Sequence, residues 1–203
     1  MPERITTPRQ RRRRRGERGE RGAAIVEAAI GTVLVLTMIF GVIEFGLAFK
    51  DYLSMSAAVR DGARVATTQG SSTQADFLII KTVKQRMPAV ATGDIKRIVV
   101  FKAANPKSTI DSVNATCKTA SVTNVCNSYG PTDFARPSTD FTGATPSPDR
   151  YWPPANRKDT LAGPPDYVGV WVQISHKGVT GLLKVASSYD DDVVMRIEPA
   201  TIS

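Results

Sequence analysis

Histidine occurs once in the 203 residues, cysteine twice and tryptophan twice, and aromatic residues make up only 7% of the chain. The single histidine, His176, lies at the end of a candidate strand and reads as a surface or core residue rather than as a catalytic base. A nucleophile elbow, a phosphate-binding glycine loop and a cluster of metal ligands are all missing. Two cysteines without a neighbouring histidine make a poor zinc site. No cofactor, metal centre or catalytic residue is therefore expected, and the chain does not read as an enzyme.

Charge is scarce too, but only locally. Between Ala28 and Ile43 no residue ionises, and from Ala23 to Phe49 only Glu27 and Glu44 do. Residues 1–22, by contrast, hold nine arginines against three glutamates, most of the chain's formal charge of +8. A composition of 41% hydrophobic and 23% charged residues excludes wholesale disorder and a polytopic membrane protein. The sequence divides into a basic leader at 1–22, an apolar rod at 23–49 and a remainder at 50–203, of which 103–166 is a long Pro/Ser/Thr-rich insertion.

As a helix, Ala28 to Ile43 spans about 24 Å and Ala23 to Phe49 about 40 Å, against a hydrocarbon core of about 30 Å. A run apolar on all faces beside so dense a cationic block is expected to cross a membrane once. The basic flank stays inside and the carboxyl-terminal part is exported. The arginine block has no interleaved aromatics to stack on bases, so no nucleic-acid partner is expected.

The junction Glu20-Arg21-Gly22-Ala23-Ala24-Ile25-Val26-Glu27 carries the most information. An ordinary secretory signal would be cut after its apolar region, and Gly46-Leu47-Ala48 offers such a site. A glycine directly before the run with a glutamate five residues later is instead the pattern of a prepilin-type cleavage site, cut between Gly22 and Ala23. That cut leaves the helix on the mature protein. It also frees an α-amino group on Ala23 that is largely cationic at neutral pH, one helical turn from Glu27 on the same face. The pair would lower the cost of a carboxylate in lipid, and the first turn favours an anion through the helix dipole.

Arg21-Gly22-Ala23-Ala24-Ile25-Val26-Glu27, then Gly41-Val42-Ile43-Glu44-Phe45-Gly46, then Ala57-Ala58-Val59-Arg60-Asp61-Gly62-Ala63-Arg64 resembles the TadE-like family of minor pilins, or pseudopilins, of the tight-adherence (Flp-type) pilus system. The resemblance covers about residues 21–66. Met195-Arg196-Ile197-Glu198-Pro199 is also similar to how such chains finish. It implies that Gly22 precedes the cut, that Ala23 becomes the amino terminus, and that Glu27 serves processing and assembly. It implies as partners a prepilin peptidase, other TadE/TadF-like minor pilins, the major Flp pilin and the assembly platform, with a role in surface adhesion. The leader is longer and richer in arginine than a minimal prepilin leader. A different reading is an unprocessed single-pass anchor for an extracytoplasmic ligand-binding domain.

Glu44 lies seventeen residues beyond Glu27, roughly 25 Å along a helix. It is expected near the outer interface, either as a headgroup-level carboxylate or as a subunit contact. Beyond it, Tyr52, Met55, Val59, Ala63 and Ala66 form one apolar stripe, with Asp61 and Arg64 able to pair on the opposite face, so the helix is expected to continue into the exported domain. Thr73 with Asp76 suggests a capped second helix carrying Ala75, Leu78, Ile79, Val83 and Met87 and ended by Pro88. Ile95–Lys102, Val168–Ser175 and a segment around Val193, Met195 and Ile197 read as strands. The expected fold class is α+β: a long amino-terminal helix, a short second helix and a three-stranded antiparallel sheet.

The 103–166 segment, with nine prolines, reads either as a flexible surface insertion or as a binding loop displaying Tyr129, Phe134, Phe141, Tyr151 and Trp152. Cys117 and Cys126 within it are expected to form a disulfide in an exported setting. Asp190-Asp191-Asp192 reads as a solvated turn, with calcium binding the lesser alternative. Asn114-Ala115-Thr116 matches a glycosylation sequon.

Overall fold

The computed structural model describes residues 13–88, 90–159, 164–178 and 188–199. Residues 1–12 of the arginine-rich leader and the side chains of 13–21 lie outside the described residues. Helix α1, Arg13–Gln69, is one unbroken helix of 57 residues, so it runs through positions 22/23 and 49/50 without interruption. A tight turn at Gly70, which adopts a positive φ of 46°, reverses the chain into α2, Ala75–Arg86.

Four strands follow: β1 at Ile95–Ala103, β2 at Cys126–Tyr129, β3 at Tyr167–Ser175 and β4 at Ser188–Arg196. They form one antiparallel sheet in the order β2-β1-β3-β4. The α+β class is as the sequence indicates, with one strand more. The extra strand, β2, comes from inside the insertion and pairs Cys126–Tyr129 with Phe101–Ile98.

The helical periodicity places most of the core, but Leu78 of the expected α2 stripe is only half-buried and Ile80, outside that stripe, is buried. Met55, Val59, Ala63 and Ala66 of α1 and Ala75, Ile79 and Val83 of α2 are fully buried. With Ile98 and Val100 of β1 and Val168, Val170, Val172 and Ile174 of β3 they form the layer between helices and sheet. Gly62 lies where the two helices approach most closely: a Cβ there would stand 2.7 Å from Val83 Cγ2. Tyr52, at the membrane-side end of the stripe, remains 38% exposed. Asp61 pairs with Arg64 as the spacing suggests, at 3.6 Å, and also with Arg86 of α2 at 2.8 Å.

Two details differ from the sequence reading. Thr73 does not cap α2; Gln74 occupies the cap position without a side-chain hydrogen bond, and Asp76 turns inward. The insertion is also neither a loose surface loop nor a display of aromatics. It folds through the short helix α3, Ile110–Asn114, and several 3-10 turns. Tyr129, Phe134, Phe141 and Trp152 are buried, and only Tyr151 stays half-exposed. A second core, of Val99, Phe101, Ile110, Cys117, Cys126 and Trp171, thus covers the sheet face opposite the helices. The physical reason is area: one helix layer covers one face, and Phe101 and Trp171 on the other would otherwise each forfeit about 2–3 kcal/mol of apolar burial.

Candidate functional site

From Gly22 to Phe40 every side chain of α1 is exposed, including Ile25, Ile30, Val33, Leu34 and Met38. The most apolar 18-residue window of this helix has a mean hydropathy of 2.2, and none of it is buried within the chain. Its two hydroxyls are satisfied internally: Thr32 donates to Ala28 O at 2.7 Å and Thr37 to Val33 O at 2.8 Å. A helix in hydrocarbon must meet that condition, since no water is available to accept those protons. Ala23 and Glu27 stand one turn apart on one face. Beyond the neighbouring turns of its own helix, no described atom lies within 4 Å of a Cβ placed at Gly22, so packing of the described residues does not require glycine there.

The free helix ends at a joint. Glu44 is 1% exposed and Ala48 3%, both on the side where the residues after β3 descend along α1. Gly178 lies so close that a Cβ there would collide with Glu44 Oε1. Two turns above Glu44, His176 Nδ1 and Asp51 Oδ2 are 2.8 Å apart. The His176 ring lies 6.2 Å from that of Tyr189, which in turn meets Tyr52 edge-on at 6.1 Å. Lys177 reaches Asp94 at 3.2 Å. Glu44 is thus a part of the helix-to-head joint, while Phe45 and Phe49 of the same helix stay exposed. His176 takes a structural place there that its position at a strand end foreshadows; its partner Asp51, 125 residues earlier, could not be read from spacing.

A third group sits inside the head. Asp76 accepts from Arg157 Nη2 at 2.5 Å, from the Tyr129 hydroxyl at 2.5 Å and from Asn127 Nδ2 at 2.9 Å. Asn127 also spans Trp152, donating to its carbonyl and accepting from its N–H, and the Arg157 guanidinium lies 4.5 Å over the Trp152 ring. Burial, with the Asp76 carboxylate beside it, pushes the Tyr129 hydroxyl well above its ordinary value of 10.0. Sequence reasoning missed this network, because Asp76 and Arg157 lie 81 residues apart and neither belongs to a motif. Its effect is to lock the insertion onto α2.

Cys117 and Cys126 are joined by a disulfide that ties the turn after α3 to the start of β2. The three aspartates do not converge, because strand alternation sends Asp191 to the face opposite Asp190 and Asp192. Asp190 accepts from Trp171 Nε1 at 2.9 Å, and Asp192 from the Ile110 N–H at 3.3 Å. Burial raises the Asp192 carboxyl above the usual carboxylate range. Asn114 of the sequon accepts from the Thr116 N–H at 2.9 Å, closing a tight turn. Among the described residues no group of three His, Cys, Asp or Glu is placed to hold a metal ion.

Fold and helix together define a chain that, among the described residues, has one helix long and apolar enough to cross a bilayer, carrying an α+β head. Residues 22–64 match the family model described as TadE-like protein, which agrees with a TadE-like minor pilin of the Tad pilus system. The matched segment holds the exposed helix, Glu27, Glu44 and the α1 face that packs on the head. No curated protein and no solved structure matches the chain.

Proposed function

We propose that the protein is a non-enzymatic minor pilin, inserted with its arginine-rich end inside and its head outside the membrane, that takes part in assembling a Tad-type pilus for surface adhesion. Residues 1–22 are the cytoplasmic leader, 23–49 the membrane helix and 50–203 the extracytoplasmic domain. A membrane prepilin peptidase cuts between Gly22 and Ala23, and the helix stays on the mature chain. The new amine of Ala23 then meets Glu27, within one helix or between neighbours, which sets the axial register of subunits packed side by side. Sister TadE/TadF-like subunits, the major pilin and the assembly platform are the partners this requires.

The observation that carries the reading is the fully exposed apolar helix with Glu27 one turn after Ala23, inside the TadE-like segment. Mass spectrometry of the amino terminus of the mature chain tests it. A start at Ala23 is expected; an intact Met1 would favour a permanent anchor, and a start near Phe49 ordinary secretion. Gly22→Leu should abolish the cut while leaving the head folded, because the added side chain meets nothing in the chain. Normal processing of that variant would remove the site assignment.

A further inference from the structure

One long edge of the sheet stays open among the described residues. The β2 edge is closed by its own insertion: Cys126 N–H donates to Val122 O and Ser128 N–H to the Ser121 hydroxyl. The β4 edge is different. β4 pairs with β3 over all nine of its residues, Ser188–Arg196, without a register shift, and no described strand lies beyond it. Strand alternation tells which of its backbone groups face outward. Lys102 N–H donates to Val125 O, so even-numbered residues of β1 from Ile98 on address β2 and odd-numbered ones β3. The registers Val99↔Trp171 and Val170↔Val193 carry the alternation across the sheet. Asp190, Asp192, Val194 and Arg196 therefore turn their N–H and C=O groups away from β3. Of these N–H groups, that of Asp192 donates to the Asp191 carboxylate at 3.0 Å; the others have no acceptor among the described residues. Two residues beyond Arg196, Glu198 N–H reaches Thr67 O at 3.1 Å, and α1 closes the edge there.

At about 3.3 Å per residue the open stretch is roughly 30 Å of outward-facing backbone. Strands that end a sheet are usually short, bulged, interrupted by proline, armed with lysine or covered, which keeps stray strands from adding to them. β4 uses none of these devices between Ser188 and Arg196. What it carries is acid. Lys118 is shared between Asp111 at 2.8 Å and Asp190 at 3.7 Å, and neither Asp191 nor Asp192 has a cationic partner among the described residues. Other cations of the sheet are turned away or distant: Arg97 donates to the Ser128 hydroxyl at 3.0 Å, Lys177 pairs with Asp94 at 3.2 Å, and Arg196 lies about 13 Å along the strand from Asp192.

We propose that the β4 edge is a docking strand that takes an extended segment of a different protein chain, and that the segment it selects carries lysine or arginine beside Asp190, Asp191 and Asp192. Main-chain hydrogen bonds to the outward groups supply the affinity, and the charges supply the selectivity. A second copy of this chain does not fit. β4 rises from the level of Tyr52, whose ring Tyr189 meets at 6.1 Å, to that of Thr67. On the membrane-anchored reading above, β4 of a neighbouring copy therefore points the same way and stands at the same height. Edge to edge, the three aspartates would face their own counterparts, and like charges opposite one another destabilise a strand pair.

The test uses the full chain in detergent micelles with a synthetic peptide of alternating lysine and valine, its counterpart with glutamate for lysine, and the lysine peptide N-methylated throughout. Residue-resolved amide hydrogen exchange is the readout. The lysine peptide is expected to slow exchange several-fold at Asp190, Asp192 and Val194 while leaving Asp191 and Val193, already paired with β3, unchanged. The glutamate peptide should give no protection, and neither should the methylated one, which keeps the charge but has no N–H to offer. Asp191→Asn should weaken the lysine peptide several-fold and leave the strand folded, because that carboxylate holds only the Asp192 N–H. Equal protection by the lysine and glutamate peptides, protection by the methylated one, slowing of odd and even residues alike, or no protection at all overturns the proposal. Protection of the even residues in the chain alone as its concentration rises would make a second copy the occupant and overturn it as well. None of these outcomes touches the anchored reading, which the mass of the amino terminus tests separately.

Discussion

Replacing Arg157 by methionine should be the most damaging change in the head that leaves the apolar core untouched. The Arg157 and Asp76 side chains are both 0% accessible, with Nη2 and Oδ1 2.5 Å apart. Methionine fills much of the arginine stem, so the loss is mainly electrostatic. Asp76 would keep the Tyr129 hydroxyl and Asn127 Nδ2 but lose its only cationic partner. Removing one member of a buried pair costs about 3–5 kcal/mol, against a total stability of about 5–15 kcal/mol for a domain. For a head of this size that is a fall in Tm of roughly 6–20 °C. The chain offers its own reporter, since both tryptophans, Trp152 and Trp171, are in the head and Trp152 lies under the guanidinium. Guanidinium titration of the full chain in detergent micelles, followed by tryptophan emission, would measure the loss. Asp76→Asn together with Arg157→Met removes both charges and should cost about 1–3 kcal/mol less than the two single losses added. A single Arg157→Met variant within 1 kcal/mol of the parent, or strictly additive losses, would refute the reasoning.

Three further outcomes are expected. Above pH 10 the unfolded chain gives up the Tyr129 proton while the native head, where burial and Asp76 hold that hydroxyl well above 10.0, keeps it. The unfolded state then binds fewer protons, so stability should fall with rising pH by up to about 1.4 kcal/mol per unit. Tyr129→Phe should lose that share of the slope, and an identical slope in both proteins would contradict the assignment. Changing both Cys117 and Cys126 to serine should cost about 2–3 kcal/mol for so short a loop, with faster amide exchange confined to α3 and β2; uniform loosening of the whole head would point to another cause. Glu27→Ala should leave membrane insertion intact and reduce co-purification of sister pilins, and unchanged co-purification would count against the amine pairing.

What the sequence made legible was whatever repeats locally. The stripe Met55, Val59, Ala63, Ala66 has helical spacing, and β3 alternates valines with other residues, so both could be placed without long-range knowledge. The proposed cleavage and assembly residues Gly22, Ala23 and Glu27 also lie within five consecutive steps along one helix. β2 was invisible because Cys126-Asn127-Ser128-Tyr129 has neither alternation nor strong strand propensity; it is a strand because β1 presents it with an open edge. The inward turn of Tyr129, Phe141 and Trp152 was invisible for a related reason. Proline, serine and threonine around them signal a surface loop, whereas their burial depends on Asp76 and Arg157 meeting across 81 residues.

The glycines separate what the head requires from what lies outside it. Gly62 allows α1 and α2 to close, and Gly169 lies beneath the Phe101 ring where any Cβ would collide with it. Each has a cause within the folded chain, and each helps hold the sheet between its two cores. Among the described residues Gly22 and Gly31 have none: a Cβ at either position meets nothing within 4 Å, and in a helix interior glycine costs about 1 kcal/mol relative to alanine. Both fall in the exposed apolar part of α1, away from every described residue of the head. A glycine that weakens its own helix and packs against nothing in its own chain is explained by a surface that must come close to it. If the chain is processed and assembled as proposed, the cutting enzyme at Gly22 and a neighbouring helix at Gly31, one turn past Glu27, would each supply such a surface. The head is thus specified from within, whereas from Gly22 to Phe40 packing within the described chain specifies none of the side chains of the helix.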